Sequence, residues 1–488
     1  MKVHFIGVCG TGMGALALLH RARGDEVRGS DVAAYPPMGD ALAAAAIPVT
    51  LGFDAANLAW GPNLVVVGNF CRRDNPEARA AIDGGLAYTS FPAALAEQLI
   101  GTRHAVVVAG THGKTTTCAL LARILDGAGR DPGFFVGGVV RDFPASCRAG
   151  SGDLVVVEGD EYDTAFFDKR PKFVHYRTRT LVLTSIEYDH ADIYADLDAV
   201  VRAFEGLCAA VPANGRIFAA AGTPGDASLA RALAAAGAPV ERYGAGDAAA
   251  AAGARWVARR VTPAGGAPAD RPARFIVERD GAPVAEAFET PLAGEHNLAN
   301  ACGAIAAALT LGVPARAARE ALAAFQGVKR RQEELGSPGG VTVVDDFAHH
   351  PTAVRETLAA LRERYGARRL WVLFEPRTQT SRRRVFQRDY ALALARADRV
   401  VVAGAYGADA LAAEERFHPE ELARDLEAAG AWARYEPDVE RIVALVAAEA
   451  RAGDVVAVFS NGGFGGIHRK LLDALAGAAA RGAGGAAA

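Results

Sequence analysis

The residues best suited to chemistry stand in one short run, Gly110-Thr111-His112-Gly113-Lys114-Thr115-Thr116-Thr117, directly after the apolar stretch Ala105–Ala109. It places two residues between its glycines, where the usual phosphate loop has four. The physics is unchanged. Glycines let backbone N–H groups curl around phosphate oxygens, and the helix that starts there turns its positive end toward them. Lys114 would neutralise the terminal phosphates of ATP and the Thr115 hydroxyl would ligate Mg²⁺, with Gly110, Thr111, His112, Gly113 and Thr116 forming the cradle. The plain alternative is a glycine turn between a strand and an ordinary helix.

Four further clusters follow apolar stretches or open helices. In Glu158-Gly159-Asp160-Glu161-Tyr162-Asp163, four carboxylates fall in six residues at a strand end, which suits a hard cation; the other reading is a solvated acidic loop. His190, beside Glu187 and Asp189 just past a second strand, reads as a metal or phosphate neighbour. Asn297 and Asn300 share one face of a helix start, where their amides suit a nucleobase or ribose, or where Asn297 caps the helix. In Asp345-Asp346-Phe347-Ala348-His349-His350-Pro351 the His and Asp residues are candidate metal ligands; equally, Asp346 bridges to bound nucleotide and Pro351 opens a helix. Finally, Gly7-x-x-Gly10-x-Gly12-x-Gly14 with Asp31 downstream approaches a dinucleotide fingerprint without its spacing. It puts a pyrophosphate-bearing ligand, NAD or a UDP-sugar, at a helix N-terminus.

The elements that must hold these groups alternate between short apolar strands and helices. Val3–Gly7, Val27–Ser30 and Leu64–Gly68 form a first set; Ala105–Ala109, Leu154–Glu158 and Thr180–Ser185 a second; Val341–Asp345, Leu370–Phe374, Arg399–Ala403 and Val455–Ser460 a third. That alternation predicts three α/β domains with largely parallel sheets, over 1–103, 104–332 and 333–488. The stretch 219–287 is expected to add peripheral strands to the second, and the Gly/Ala-rich tail 478–488 to be disordered. A chain of 488 residues is too long for one core. A net charge of -3 leaves no basic footprint for nucleic acid. Six scattered cysteines without a CxxC pair, no signal peptide and no apolar run of about 20 residues point to a reduced, cytoplasmic protein.

In this order, from Gly7 to His468, the motifs resemble the Mur ligase family, which builds the peptide of bacterial cell-wall precursors. The resemblance implies a Rossmann-like UDP-binding domain, an ATPase domain and a C-terminal Rossmann-like domain that brings the incoming amine. It implies Lys114, Glu158 and His190 as catalytic groups, with Thr115, Glu158 and His190 on metal. Asn297, Asn300, Arg331 (or its neighbour Arg330) and Asp346 would then reach ATP, and Gly10, Thr11, Gly12, Met13, Ser30, Asp31 and Asn69 the UDP-sugar. Several stretches resemble the members that act in peptidoglycan recycling: Gly68-Asn69 with Arg73, Asn75–Glu77, Tyr88–Ser90, Glu158–Arg170, Phe173–Tyr176 and Ser460–His468. Those members join UDP-N-acetylmuramate to the murein tripeptide L-alanyl-γ-D-glutamyl-meso-diaminopimelate, cleaving ATP. The L-alanine-adding ligase of peptidoglycan synthesis lacks the Phe166–Arg170 extension. It is the alternative within the class. A nicotinamide oxidoreductase leaves the Gly110 loop and the Glu158 cluster without purpose, and a nucleotide-dependent switch predicts ATP binding without an amide product.

Overall fold

The computed structural model describes residues 1–34, 38–261 and 272–485. Its strands assemble into three main sheets, each with the apolar interior that its sequence pattern dictates. The first has five strands in the order Val49–Leu51, Glu26–Asp31, Lys2–Ile6, Leu64–Val67, Tyr88–Ser90, all parallel. Side chains alternate across it. Val3, Phe5 and Val66 enter one buried cluster, while Ile6, Val65 and Val67 enter another on the opposite face.

The middle sheet has 11 strands. Its centre is parallel, with His104–Ala109 between Leu154–Gly159 and Thr180–Leu183. Unbroken Val/Leu/Ala runs suit strands covered on both faces. Strands within residues 216–260 and 273–290 extend this same sheet, first in parallel and then, from Trp256–Arg260 to Ala273–Arg279, antiparallel. They lengthen one sheet and form no separate fringe. Residues 262–271 lie outside the described residues.

The third sheet has six strands, parallel except for Glu333–Gly336 at its edge. Val372, Phe374, Val400 and Val402 face one core, and Trp371, Leu373 and Val401 the other. A long helix, Ile467–Gly485, covers the second face. The helix runs on into the Gly/Ala-rich tail, whose alanines favour it. Residues 486–488 lie outside the described residues.

The first and middle sheets share one continuous apolar cluster, joined where Phe91 meets Phe135 at 5.3 Å between ring centres. Each fully buried Val or Phe in such a core contributes about 1.5–3 kcal/mol relative to exposure. The catalytic loops therefore sit on rigid strand ends. Among the described residues no helix is long and apolar enough to cross a membrane.

Candidate active site

The strand His104–Ala109 ends in the glycine loop, and the helix Lys114–Gly127 begins immediately after it. Gly110, at φ +131°, passes so near the next strand that a Cβ there would lie 2.7 Å from the Ser185 carbonyl oxygen. Gly113 takes φ +79° against the Asn300 amide, whose Oδ1 would be 2.5 Å from a Cβ. Neither position tolerates a side chain. Ser185 braces the loop: its carbonyl accepts the Thr111 N–H (2.9 Å) and its hydroxyl the His112 N–H (2.9 Å). The Thr111 hydroxyl bonds both backbone groups of Glu187. Thr111 and His112, expected to hold ATP, are thus fastened to the neighbouring strand end. The free donors lie further on, from Gly113 to Thr116, because the first intrahelical bond runs from Thr117 to Gly113.

Lys114 turns its ammonium onto Glu161, at 2.8 and 3.0 Å, and onto the Gly110 carbonyl at 2.5 Å. Burial opposes its charge, but Glu161, Asp160 and Glu158 outweigh burial, and its pKa is raised. Thr115 donates its hydroxyl to Glu158 Oε1 at 2.9 Å, and the Gly137 N–H donates to Glu158 Oε2 at 2.7 Å. Burial raises the pKa of Glu158 against these bonds and against Lys114, whereas burial is outweighed for Asp160 and Glu161, which are lowered. A hydroxyl and a carboxylate side by side at a phosphate loop suit Mg²⁺, which prefers oxygen donors. The residues fit the ion.

His190 does not join them. Its Nε2 lies 2.9 Å from Glu161 Oε1; burial works against its charge, yet Glu161 and Asp189 lift its pKa to about 9. His190, expected on a metal, pairs here with Glu161, to which the sequence gave no separate role of its own. The signal was present, since Glu161 belongs to the same acidic run. Among the described residues, the His and carboxylate group compact enough for a metal is His112, Glu187 and His350. The tautomer of His350 argues against one. Its Nδ1 accepts the Thr352 N–H (3.2 Å), so the proton sits on Nε2, which donates to the Tyr188 carbonyl (3.2 Å). Burial holds this ring neutral, with a pKa lowered to about 3. Neither nitrogen keeps a lone pair for an ion.

That group is instead a clasp between the middle and third domains. The Thr352 hydroxyl donates to Glu187 at 3.0 Å, and the Ala191 N–H to the Thr380 hydroxyl at 3.2 Å. His350 opens the helix Pro351–Tyr365 as its capping residue, as Pro351 implied. Of the two neighbouring arginines, Arg330 is committed to the carbonyls of Ser460 (2.5 Å) and Gly462 (2.9 Å). Arg331 lies over the Phe347 ring at 4.9 Å, where burial lowers its pKa against the opposing charges of Asp346 and Glu158. Arg331 is the one poised for a phosphate.

Asp346 accepts the N–H groups of Gln332 (2.7 Å) and Ala348 (2.8 Å), and so fixes the Arg331 segment to its strand. Asn297 is neither cap nor free ligand, for Gly294 precedes the helix Glu295–Thr310 and the Asn297 amide donates to the Ala293 carbonyl at 2.7 Å. Its Oδ1 accepts from Asn300 at 3.2 Å, and so aims Asn300 at the glycine loop.

In the first domain the strand order reverses between Lys2–Ile6 and Leu64–Val67, the place where open α/β sheets bind ligands. Gly10 and the helix Thr11–Ala22 start at that crevice, with Thr11 exposed and Gly12 against the Phe91 ring. Asn69 is half-buried beside them, on the turn after Leu64–Val67. Two residues expected at the UDP-sugar have partners within the protein. Ser30 is fully buried and donates to Glu77 at 2.5 Å, and Asp31 accepts the Cys9 N–H at 2.8 Å, closing the glycine turn. The Met13 side chain is buried too, which leaves its backbone N–H for a ligand.

Three family models match the chain: "Mur ligase family, catalytic domain" over residues 2–102, "Mur ligase middle domain" over 108–308 and "Mur ligase, glutamate ligase domain" over 330–462. The chain is 41% identical over 477 residues to the UDP-N-acetylmuramate–L-alanyl-γ-D-glutamyl-meso-2,6-diaminoheptandioate ligase of Escherichia coli K12, covering 98% of each. It is 40% identical over 408 residues to the UDP-N-acetylmuramate–L-alanine ligase of an Arthrobacter strain, covering 83% of this chain and 82% of that one. Its fold matches the crystal structure of a murein peptide ligase from Psychrobacter arcticus with a TM-score of 0.71 and 37% identity, over 98% of this chain and 99% of that one.

Proposed function

The chain belongs to the Mur ligase family, and from that premise we propose that it joins UDP-N-acetylmuramate to the tripeptide L-alanyl-γ-D-glutamyl-meso-diaminopimelate at the expense of ATP. The choice of amine is carried by full-length likeness. The relatives named for the tripeptide are 41% and 38% identical over 98% and 97% of this chain, against 36% and 35% for L-alanine ligases that cover 97% and 99% of it.

The geometry supports the chemistry as follows. ATP lies along the N–H groups from Gly113 to Thr116, with Asn300 at the loop and Arg331 reaching in from the segment before the third sheet. The muramyl carboxylate, delivered by the first domain, attacks the γ-phosphate, breaking its bond to the β-phosphate so that ADP leaves and an acyl phosphate forms. Lys114 leaves Glu161 to follow the transferring phosphoryl group, and charge on that group is what the site must stabilise. Mg²⁺ held by Thr115 and Glu158 supplies further neutralisation of the phosphates. The amine of the tripeptide then displaces phosphate. Water would destroy the acyl phosphate, and the Thr352–Glu187, His350–Tyr188 and Thr380–Ala191 bonds draw the third domain over the loop to exclude it.

The test supplies the full-length protein with ATP, Mg²⁺ and UDP-N-acetylmuramate, and either tripeptide or L-alanine, then weighs the products by mass spectrometry. The expected result is a tripeptide adduct formed with a far higher kcat/KM. Equal or better use of L-alanine would overturn the choice of amine, and ADP without any amide would overturn the ligase.

A further inference from the structure

Between the acidic run and the strand Thr180–Leu183 the middle domain sends out a small antiparallel hairpin, Asp163–Ala165 paired with Asp168–Pro171. Its tip does not stay with the middle domain. Phe166 packs against the cluster of Ile6, Leu58, Val65, Val67, Cys71, Ala78 and Ala81, which the first domain builds on one face of its sheet. Phe167 meets Tyr88, from the edge strand of that sheet, edge-on at 5.2 Å. The opposite face of the same sheet is already joined to the middle domain through the shared core at Phe91 and Phe135. The first domain is therefore gripped on both faces by its neighbour.

The root of the hairpin is as firmly placed as its tip. Thr164 donates across it to the Arg170 carbonyl (2.8 Å). Asp168 accepts from Arg170 at 2.9 and 2.7 Å and pairs with His175 at 3.2 Å. Lys172 ties the return strand to Asp160 at 2.6 Å. The next residue, Glu161, holds both Lys114 and His190. One short braced element thus runs from the phosphate loop to the core of the other domain.

We propose that this hairpin is a strap that sets the register between the two substrate-bearing domains, with Phe166 as its positioning residue. With only the Phe91–Phe135 side joined, the first domain is free to rock about that contact, as hinged domains do. Gripped from both sides, it presents the carboxylate of its ligand at one distance from the γ-phosphate. In-line attack is steeply sensitive to that distance, a misplacement of about 1 Å costing on the order of 10²-fold in rate. The strap neither touches substrate nor supplies a catalytic group.

The kinetic arm of the test rests on the ligase reading, and the structural arm does not. Phe166→Ser and the conservative Phe166→Leu are made in the full chain, with Phe167→Ala, whose ring is 39% exposed, as a variant that keeps the core intact. Distances between spin labels on the first and middle domains are measured beside kcat and the separate affinities for UDP-N-acetylmuramate and ADP. In Phe166→Ser the label distances are expected to broaden and kcat to fall on the order of 10²-fold while both affinities hold within about twofold; Phe166→Leu restores both readouts, and Phe167→Ala shows a milder form. Unchanged distances in Phe166→Ser, or broadened distances with kcat intact, would overturn the strap, as would a loss of kcat matched by loss of both affinities. Absence of product from the unmodified protein would instead count against the ligase, and the label distances would still decide the strap.

Discussion

Replacing Lys114 tests the site most directly, because the structure gives that side chain two separable jobs. It is 13% exposed and faces Glu161, itself 2% exposed, at 2.8 Å. Removing one member of such a pair leaves a buried charge uncompensated, which costs about 3–5 kcal/mol. His190 stays on Glu161 and keeps part of the compensation, so Lys114→Met should lose about 3 kcal/mol, the lower end of that range. For a domain of roughly 200 residues this lowers the unfolding midpoint by about 6–12 °C. Turnover should fall on the order of 10³-fold, since a preorganised charge on the transferring phosphoryl group is lost. The double variant Lys114→Met, Glu161→Gln removes both charges. It should recover most of the stability and none of the activity. Calorimetry and a phosphate-release assay on the single and double variants decide the matter. A single variant with near-normal turnover refutes the phosphate role, and a double variant no more stable than the single one refutes the pairing.

Four other changes follow from the same geometry. Glu158→Ala should raise the Mg²⁺ concentration needed for half-maximal rate while leaving UDP-sugar affinity unchanged by calorimetry, because that ligand belongs to the first domain; loss of UDP-sugar binding with an unaltered Mg²⁺ profile would contradict the assignment. Arg331→Ala should raise the KM for ATP on the order of tenfold, whereas Arg330→Ala, whose partners are the Ser460 and Gly462 carbonyls and the Asp345 carboxylate, should lower the unfolding midpoint by several degrees, about 2 kcal/mol or more, with a smaller change in KM. Glu77 gives a pH signature: burial opposes its charge, but His4, Ser30 and Asn57 outweigh burial and hold its pKa below 4.5. Its contribution is present above pH 4.5 and is lost as pH falls below that value toward the folded-state pKa, so Glu77→Gln should be less stable at neutral pH and lose less on acidification. An acid-unfolding curve parallel to that of the unmodified protein would exclude this.

What the sequence made legible is what backbone physics fixes locally. Glycines at 110 and 113 announce positions without room for a side chain, and apolar runs of four to six residues announce buried parallel strands. The helix start that carries Lys114 and Thr115 and the strand end that carries Glu158 follow from those two facts alone. What stayed illegible shares one cause: where a polar side chain, placed on its strand or helix end, finds its partner within the protein. Ser30 could turn toward a ligand or toward Glu77, and a glutamate 47 residues away decided it. Asp346 turned to the N–H of Gln332, and His190 to Glu161. Thr352, which clasps Glu187 from 165 residues away, carried no local mark at all. A buried polar group must be satisfied, and no spacing rule says by whom. Phe166 shows the same limit for an apolar residue. In the sequence it is one phenylalanine of a motif, and only the fold shows that its partners belong to a different domain. Interdomain contacts of this kind bring the three substrates into line, and they are the part of the chemistry that a linear pattern encodes least.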